Sequence, residues 1–215
     1  MATIVCYGDS NTWGAVPLPE RMLPERFSPA ERWPGVLRDK LGAGHTVIEE
    51  GLNGRTTCLD DPIEGVHKNG LKHLPVILES HAPIDLLIIK LGTNDLKYRL
   101  SMSAGDIADG AGLLIDKASS LVCPPHGRAP AVLLISPAPL ARLTWLAGMF
   151  EGGTEKSLKL GSEMARVAKE RDVAFLDAGT VVTSSPVDGI HLDRDGQRML
   201  GEAVAAIVPT ILPGA

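Results

Sequence analysis

Five short runs of β-branched and aliphatic residues punctuate this chain, each separated from the next by a stretch that contains a helix-compatible segment. The runs are Thr3–Tyr7, Thr46–Glu50, Leu86–Leu91, Ala131–Ser136 and Val173–Leu176. Parallel strands need long crossovers, usually helical, so this alternation predicts an α/β fold whose five-stranded parallel sheet is covered on both faces. The spacers support it. Arg32–Leu41 carries Trp33, Val36, Leu37 and Leu41 at helical spacing and ends at Gly42. Leu71–Ser80 and Gly105–Leu121 supply two more helices. Glu155–Arg171 places Leu158, Met164, Val167 and Ala168 on one face, and Asp193 stands ready to cap a last helix over Gly196–Val208. No repeat, low-complexity tract or linker divides the chain, so residues 1–215 read as one domain.

An open parallel sheet binds ligands at the carboxyl ends of its strands. The polar residues of this chain gather in those loops. Gly8-Asp9-Ser10-Asn11-Thr12 follows the first run and Gly51-Leu52-Asn53-Gly54-Arg55-Thr56-Thr57 the second. Gly92-Thr93-Asn94-Asp95 follows the third, Ser136-Pro137-Ala138-Pro139 the fourth, and the fifth leads on to Asp188-Gly189-Ile190-His191. One crevice should therefore collect all five.

Within that crevice Ser10 is the candidate nucleophile, His191 its base, and Asp188 the acid that fixes the imidazole tautomer. An alcohol becomes a nucleophile at neutral pH when a histidine takes its proton and an acid orients that histidine. Of six histidines, His191 is the one that follows a carboxylate by three positions in a loop at the crevice. Acyl transfer also needs uncharged donors aimed at the developing oxyanion. The N–H groups of Ser10 and Gly54 and the side-chain amide of Asn94 are the candidates. Glycine at 54 lets the backbone approach a substrate closely. Asn11 and Trp13, beside the nucleophile, and Asn53, beside Gly54, are candidate substrate contacts. Asp9 reads as a hydrogen-bonding strut for the turn.

The bulk numbers exclude several partners. Lys and Arg total 21 against 26 Asp and Glu, a net charge of −5, which leaves no broad basic face for nucleic acid. No apolar run reaches the roughly 18 residues that a spanning helix needs, and the first residues read as a strand rather than a signal peptide, so no membrane partner is expected. Cys6, Cys58 and Cys123 form neither a disulfide framework nor a metal motif, which suits a reducing cytoplasm. Asp60, Asp61, His67 and His73 match no ligand spacing and read as a solvated loop, so no metal is expected. The first loop lacks the glycine spacing and lysine of a phosphate cradle, which argues against a non-catalytic mononucleotide-binding protein on a sheet of this kind.

Gly8-Asp9-Ser10, Gly54, Gly92-Thr93-Asn94-Asp95 and Asp188-x-x-His191 together resemble, in order, the four sequence blocks of the SGNH, or GDSL-type, hydrolases. The resemblance implies a flavodoxin-like three-layer α/β/α sandwich. It implies Ser10, His191 and Asp188 as the triad, Ser10, Gly54 and Asn94 as oxyanion donors, and neither metal nor organic cofactor. Further stretches are similar to the bacterial arylesterase/acyltransferase branch, among them Asn11-Thr12-Trp13-Gly14, Ile48-Glu49-Glu50-Gly51-Leu52, Arg55-Thr56-Thr57, Phe150-Glu151-Gly152-Gly153 and Val187-Asp188-Gly189-Ile190-His191. That branch implies short-chain esters as substrates and a homo-oligomer. Asn11 and Ala15 depart from the larger apolar side chains its members can carry, which favours hydrolysis over acyl transfer to alcohols. A carbohydrate deacetylase or a thioesterase would use the same machinery.

Two segments look too long and too apolar for idle surface. They are Pro17–Pro29 and Leu140–Gly153, the second carrying Leu143, Trp145, Leu146, Met149 and Phe150. Left exposed, that group would form the kind of patch that marks an interface, here between copies of the chain at the mouth of the crevice. The alternative is that both segments fold back over their own subunit.

Overall fold

The computed structural model describes residues 1–121 and 127–213, which leaves Cys123 outside the described residues. Five strands form one sheet in the order β2-β1-β3-β4-β5, with every neighbouring pair parallel. They are β1 (Ala2–Gly8), β2 (His45–Gly51), β3 (Leu86–Lys90), β4 (Ala131–Ser136) and β5 (Ala174–Asp177). Each predicted strand is present, with ends shifted by a residue or so. The helices are α1 (Ser10–Trp13), α2 (Trp33–Leu41), α3 (Gly70–Ser80), α4 (Ala104–Ser120), α5 (Gly153–Glu170) and α6 (Arg194–Ile211). The strand order is that of flavodoxin-like sheets, and its crevice lies where the connections leave β1 and β3 on opposite sides.

Side chains on a strand alternate between faces, and here both faces are apolar. Val5, Tyr7, Leu87, Ile89 and Leu134 pack against α3, α4 and α5 through Leu74, Ile107, Leu114, Leu160 and Met164. Ile4, Cys6, Leu86, Ile88 and Leu133 pack against α2 and α6 through Trp33, Leu37, Leu200 and Val204. The expected three layers follow directly from this double burial. The last helix exceeds its expected end. It runs through Pro209, and the Leu212 N–H still reaches the Val208 carbonyl at 3.0 Å. A proline in the final turn forfeits one backbone bond without stopping the helix there. Among the described residues no helix is long and apolar enough to cross a membrane.

The two apolar segments fold back over the subunit. The first closes on itself, with the Val16 N–H on the Glu25 carbonyl at 3.0 Å and the Phe27 N–H on the Gly14 carbonyl at 2.8 Å. The second sinks Leu140, Leu146 and Phe150 into the core under α3, α4 and α5. They are joined where the Trp145 indole N–H donates to the Leu18 carbonyl at 2.9 Å. Leu146 and Phe150 are thus spent inside the chain, not exposed as a patch, because the core beside α5 takes them.

Candidate active site

Ser10 opens the single turn of α1 at the carboxyl end of β1, between β2 and β3. Asp9 caps that turn, its Oδ1 accepting from the Asn11 N–H at 3.0 Å, so it is the strut the sequence suggested. Across the crevice, the His191 Nε2 lies 3.0 Å from the Ser10 Oγ, and its Nδ1 lies 2.7 Å from the Asp188 Oδ2. The other Asp188 oxygen accepts from the N–H groups of Ile190 at 2.9 Å and His191 at 3.0 Å. Leu18, from the first apolar segment, gives its N–H to Asp188 Oδ2 at 3.3 Å. Burial alone would push the Asp188 carboxyl up. The hydrogen bond and charge of His191, with the two backbone donors, outweigh it and hold the carboxyl below its ordinary value. The site therefore keeps a buried carboxylate against the imidazole.

The side chain that locates this loop is Asn11. Its Nδ2 donates to the Ile190 carbonyl at 3.3 Å and its Oδ1 accepts from the Leu192 N–H at 2.8 Å. Its carbonyl takes the Gln197 amide of α6 at 3.0 Å, and Gln197 also caps the Trp33 N–H at 2.9 Å. Asn11, a candidate substrate contact, is not among the residues lining the cavity, and both ends of its amide are engaged. Trp13, the other candidate beside the nucleophile, does not line it either. Its ring lies under the Arg26 guanidinium, 4.7 Å from centroid to carbon, outside the cavity lining. Asn53 does line the cavity, and its buried Oδ1 has no partner among the described residues.

Gly54 and Asn94 face Ser10 from the loops after β2 and β3. Gly54 has φ +80°, a left-handed conformation natural to glycine, and a Cβ there would lie 2.2 Å from the Glu64 Oε2. Among the described residues the Asn94 amide donates one bond, Nδ2 to the Arg55 carbonyl at 3.1 Å, which leaves its second proton without an acceptor there. The backbone N–H groups of Ser10 and Gly54 donate to no acceptor among the described residues. All five motif positions thus line one cavity of about 710 Å³. Its apolar wall comes from the two folded-back segments, through Val16, Leu18, Met22, Trp145, Leu146, Met149 and Phe150.

Its opposite wall is ionic, and this the sequence reading missed. Asp61 is fully buried and accepts from the Arg99 Nε at 2.9 Å, the Arg99 Nη2 at 2.6 Å and the Lys97 Nζ at 3.1 Å. Glu64 Oε1 takes the same two cations at 2.6 Å and 2.8 Å. Burial pushes the Asp61 carboxyl up, but Arg99, two backbone donors and Lys97 hold it well below the carboxylate range. The solvated-loop expectation is therefore corrected for Asp61: two cations from beyond β3 make its burial possible. Arg55 is buried too, stacked 4.1 Å over the Tyr7 ring with Nη1 on the Gly8 carbonyl at 2.9 Å, so it ties the loop after β2 to the end of β1. The adjacent pair Asn94-Asp95 was one visible signal, while the pairing of Asp61 with Lys97 and Arg99 left none in local sequence.

A family model described as the GDSL-like lipase/acylhydrolase family matches residues 6–199. Among solved structures, the chain is similar to an aryl esterase of M. smegmatis at 42% identity and TM-score 0.93, covering 98% of this chain and 100% of that one. It is similar to Est24, a carbohydrate acetylesterase from Sinorhizobium meliloti, at 39% identity, TM-score 0.94 and the same coverage. A putative arylesterase from Agrobacterium tumefaciens str. C58 aligns at 38% identity and TM-score 0.89, again over 98% and 100%. No curated protein sequence matches. Strand order, the hydroxyl at the end of β1, and a model spanning most of the chain agree: this chain is an ester-hydrolysing member of the GDSL-like lipase/acylhydrolase family.

Proposed function

We propose that this enzyme is a serine esterase for short-chain carboxylic esters, aryl and acetyl esters among them, and that it works through an acyl-enzyme on Ser10. The observation that carries the reading is the alignment Asp188–His191–Ser10, at 2.7 Å and 3.0 Å, beside two uncommitted backbone donors. The Ser10 Oγ attacks the ester carbonyl carbon as its proton passes to His191 Nε2. The carbonyl electron pair moves to oxygen, and that oxyanion is received by the N–H groups of Ser10 and Gly54 and the free amide proton of Asn94. The tetrahedral species collapses, and the leaving alkoxide takes the proton from His191. Water then gives a proton to His191 and attacks the acyl-enzyme, releasing the carboxylic acid and restoring Ser10. An alcohol in place of water gives acyl transfer by the same steps.

The aryl esterase and carbohydrate acetylesterase neighbours support this substrate class. So does the apolar wall of Leu146, Met149 and Phe150, which offers an acyl group a surface to lie against. Free thiols at Cys6 and Cys58 support a reducing cytoplasmic location. A closed homo-oligomer remains part of the proposal, resting on Met22, Leu23 and Ile63, exposed at or beside the cavity rim. Labelling with an organophosphonate followed by peptide mapping tests the mechanism: the adduct should sit on Ser10 and abolish ester turnover. Intact turnover without a Ser10 adduct overturns it. A 4-nitrophenyl ester series should show kcat/KM falling beyond short acyl chains. Light scattering coupled to size exclusion should give more than the monomer mass.

A further inference from the structure

We propose that Asp95 is a positioning residue of the reaction, its carboxylate clasping the Gly54 loop to the Asn94 loop so that the oxyanion donors keep their mutual distance. The inference rests on the oxyanion reading above. Asp95 is fully buried and follows Asn94 directly. Its Oδ1 accepts from the Thr57 N–H at 2.9 Å and from the Thr57 hydroxyl at 2.6 Å, and its Oδ2 accepts from the same N–H at 3.1 Å. Thr57 stands three residues after Gly54. β2 and β3 are not neighbours in the sheet, because β1 lies between them. The two strands are registered only through β1, so bonds between the loops themselves, those of Asp95 and of the Asn94 amide, fix the distance between the donors.

The clasp is costly and enclosed. Burial pushes the Asp95 carboxyl up to about 6, Thr57 pulls it down, and nearby Asp9 adds to the rise. A pair chosen for stability alone would not place a charge there. From outside, α4 closes over it: a Cβ at Gly110 would meet the Thr57 Oγ1 at 2.5 Å and the Cys58 Sγ at 2.9 Å. Thr57 is thus pinned between a carboxylate and a helix backbone. Donors help an oxyanion only when they need not move as charge develops. A loosened clasp should therefore raise the barrier and leave substrate binding nearly unchanged.

The test compares Asp95→Ala, Asp95→Asn, Thr57→Val and Gly110→Ala with wild type on 4-nitrophenyl acetate, alongside thermal unfolding at pH 8. Asp95→Ala should lower kcat about a hundredfold, as loss of one oxyanion donor does, with KM within about threefold. Asp95→Asn should recover to within about tenfold of wild type, because its amide oxygen still accepts the Thr57 N–H, and its unfolding midpoint should not fall, since a buried charge is gone. Thr57→Val and Gly110→Ala should show the same split of kcat from KM, the first from the other side of the clasp and the second from outside it. A rise in KM at constant kcat overturns the proposal. So does a fall in kcat that tracks the unfolding midpoint across the four variants. Ser10→Ala separates the two readings: turnover that persists there sinks the esterase mechanism, whereas turnover lost there but unchanged in Asp95→Ala sinks the clasp alone.

Discussion

Asp188 and His191 stand three residues apart on one loop and reach Ser10 from the far end of the chain, whereas Gly54 and Asn94 ride on the strands flanking β1 and are bound to each other by Arg55, Thr57 and Asp95. The proton-handling side is held by the Asn11 side chain, by Leu18, and by backbone bonds from Ala141 to Gly189 and from Ser185 to His191, with His191 itself partly open to the cavity. The oxyanion side is backed by a buried ionic wall. In the proposed mechanism the histidine exchanges a proton twice per turnover, whereas electrostatic stabilisation works only if the donors are already in place, so stiffness matters most on the oxyanion side.

The largest break in this comparison should come from the acid. Asp188→Asn keeps the loop's backbone bonds but loses the charge beneath the imidazolium, and kcat should fall by about ten-thousand-fold. Steady-state kinetics with an unchanged circular dichroism spectrum would bear this out. On the oxyanion side, Asn94→Ala should cost about a hundred- to a thousand-fold in kcat with little change in KM. A KM effect instead would make Asn94 a ground-state contact. Asn11→Ala should fall between chemistry and scaffolding. It removes the bonds to Ile190 and Leu192, leaves every catalytic atom present, and should cost about ten- to a hundredfold through misplacement of His191.

The smallest effect is on stability, and its sign is specific. Asp95 titrates near about 6 in the fold, above the ordinary carboxylate value, so the folded chain holds that proton more tightly than the unfolded one. Its contribution to stability therefore falls as pH rises toward 6 and stays low above it. The difference is roughly 3 kcal/mol at most. Asp188 and Asp61, both lowered, act in the opposite sense, losing stability as pH falls through their folded values, but they are common to both chains. Asp95→Asn should thus compare more favourably with wild type at pH 8 than at pH 4.5, as read by denaturant unfolding at each pH.

The comparison also explains what could be read in advance. The central strands were visible because both their faces are buried, which leaves continuous apolar runs such as Leu86–Ile89. Ser10 could be placed at the crevice because its loop ends β1, and Asp188 could be paired with His191 because they stand three residues apart. The bonds of Asn11 were not legible because its partners Ile190 and Leu192 lie far along the chain. Asp61 was misread because its surroundings are set by Lys97 and Arg99, which no local window contains. For Leu146 and Phe150 composition announced burial but not against what. The core beside α5 received them, and a neighbouring molecule was not needed.

The sheet order has one more consequence, for the life of the molecule before it is finished. A ribosome releases the nucleophile with the first strand, yet the base emerges only with the loop before α6. Until then the proposed acid and base are missing, and Ser10 is an ordinary alcohol beside a sheet whose five strands are already present. On the proposed mechanism, a product terminated anywhere between β5 and Asp188 should carry the whole sheet and hydrolyse no ester.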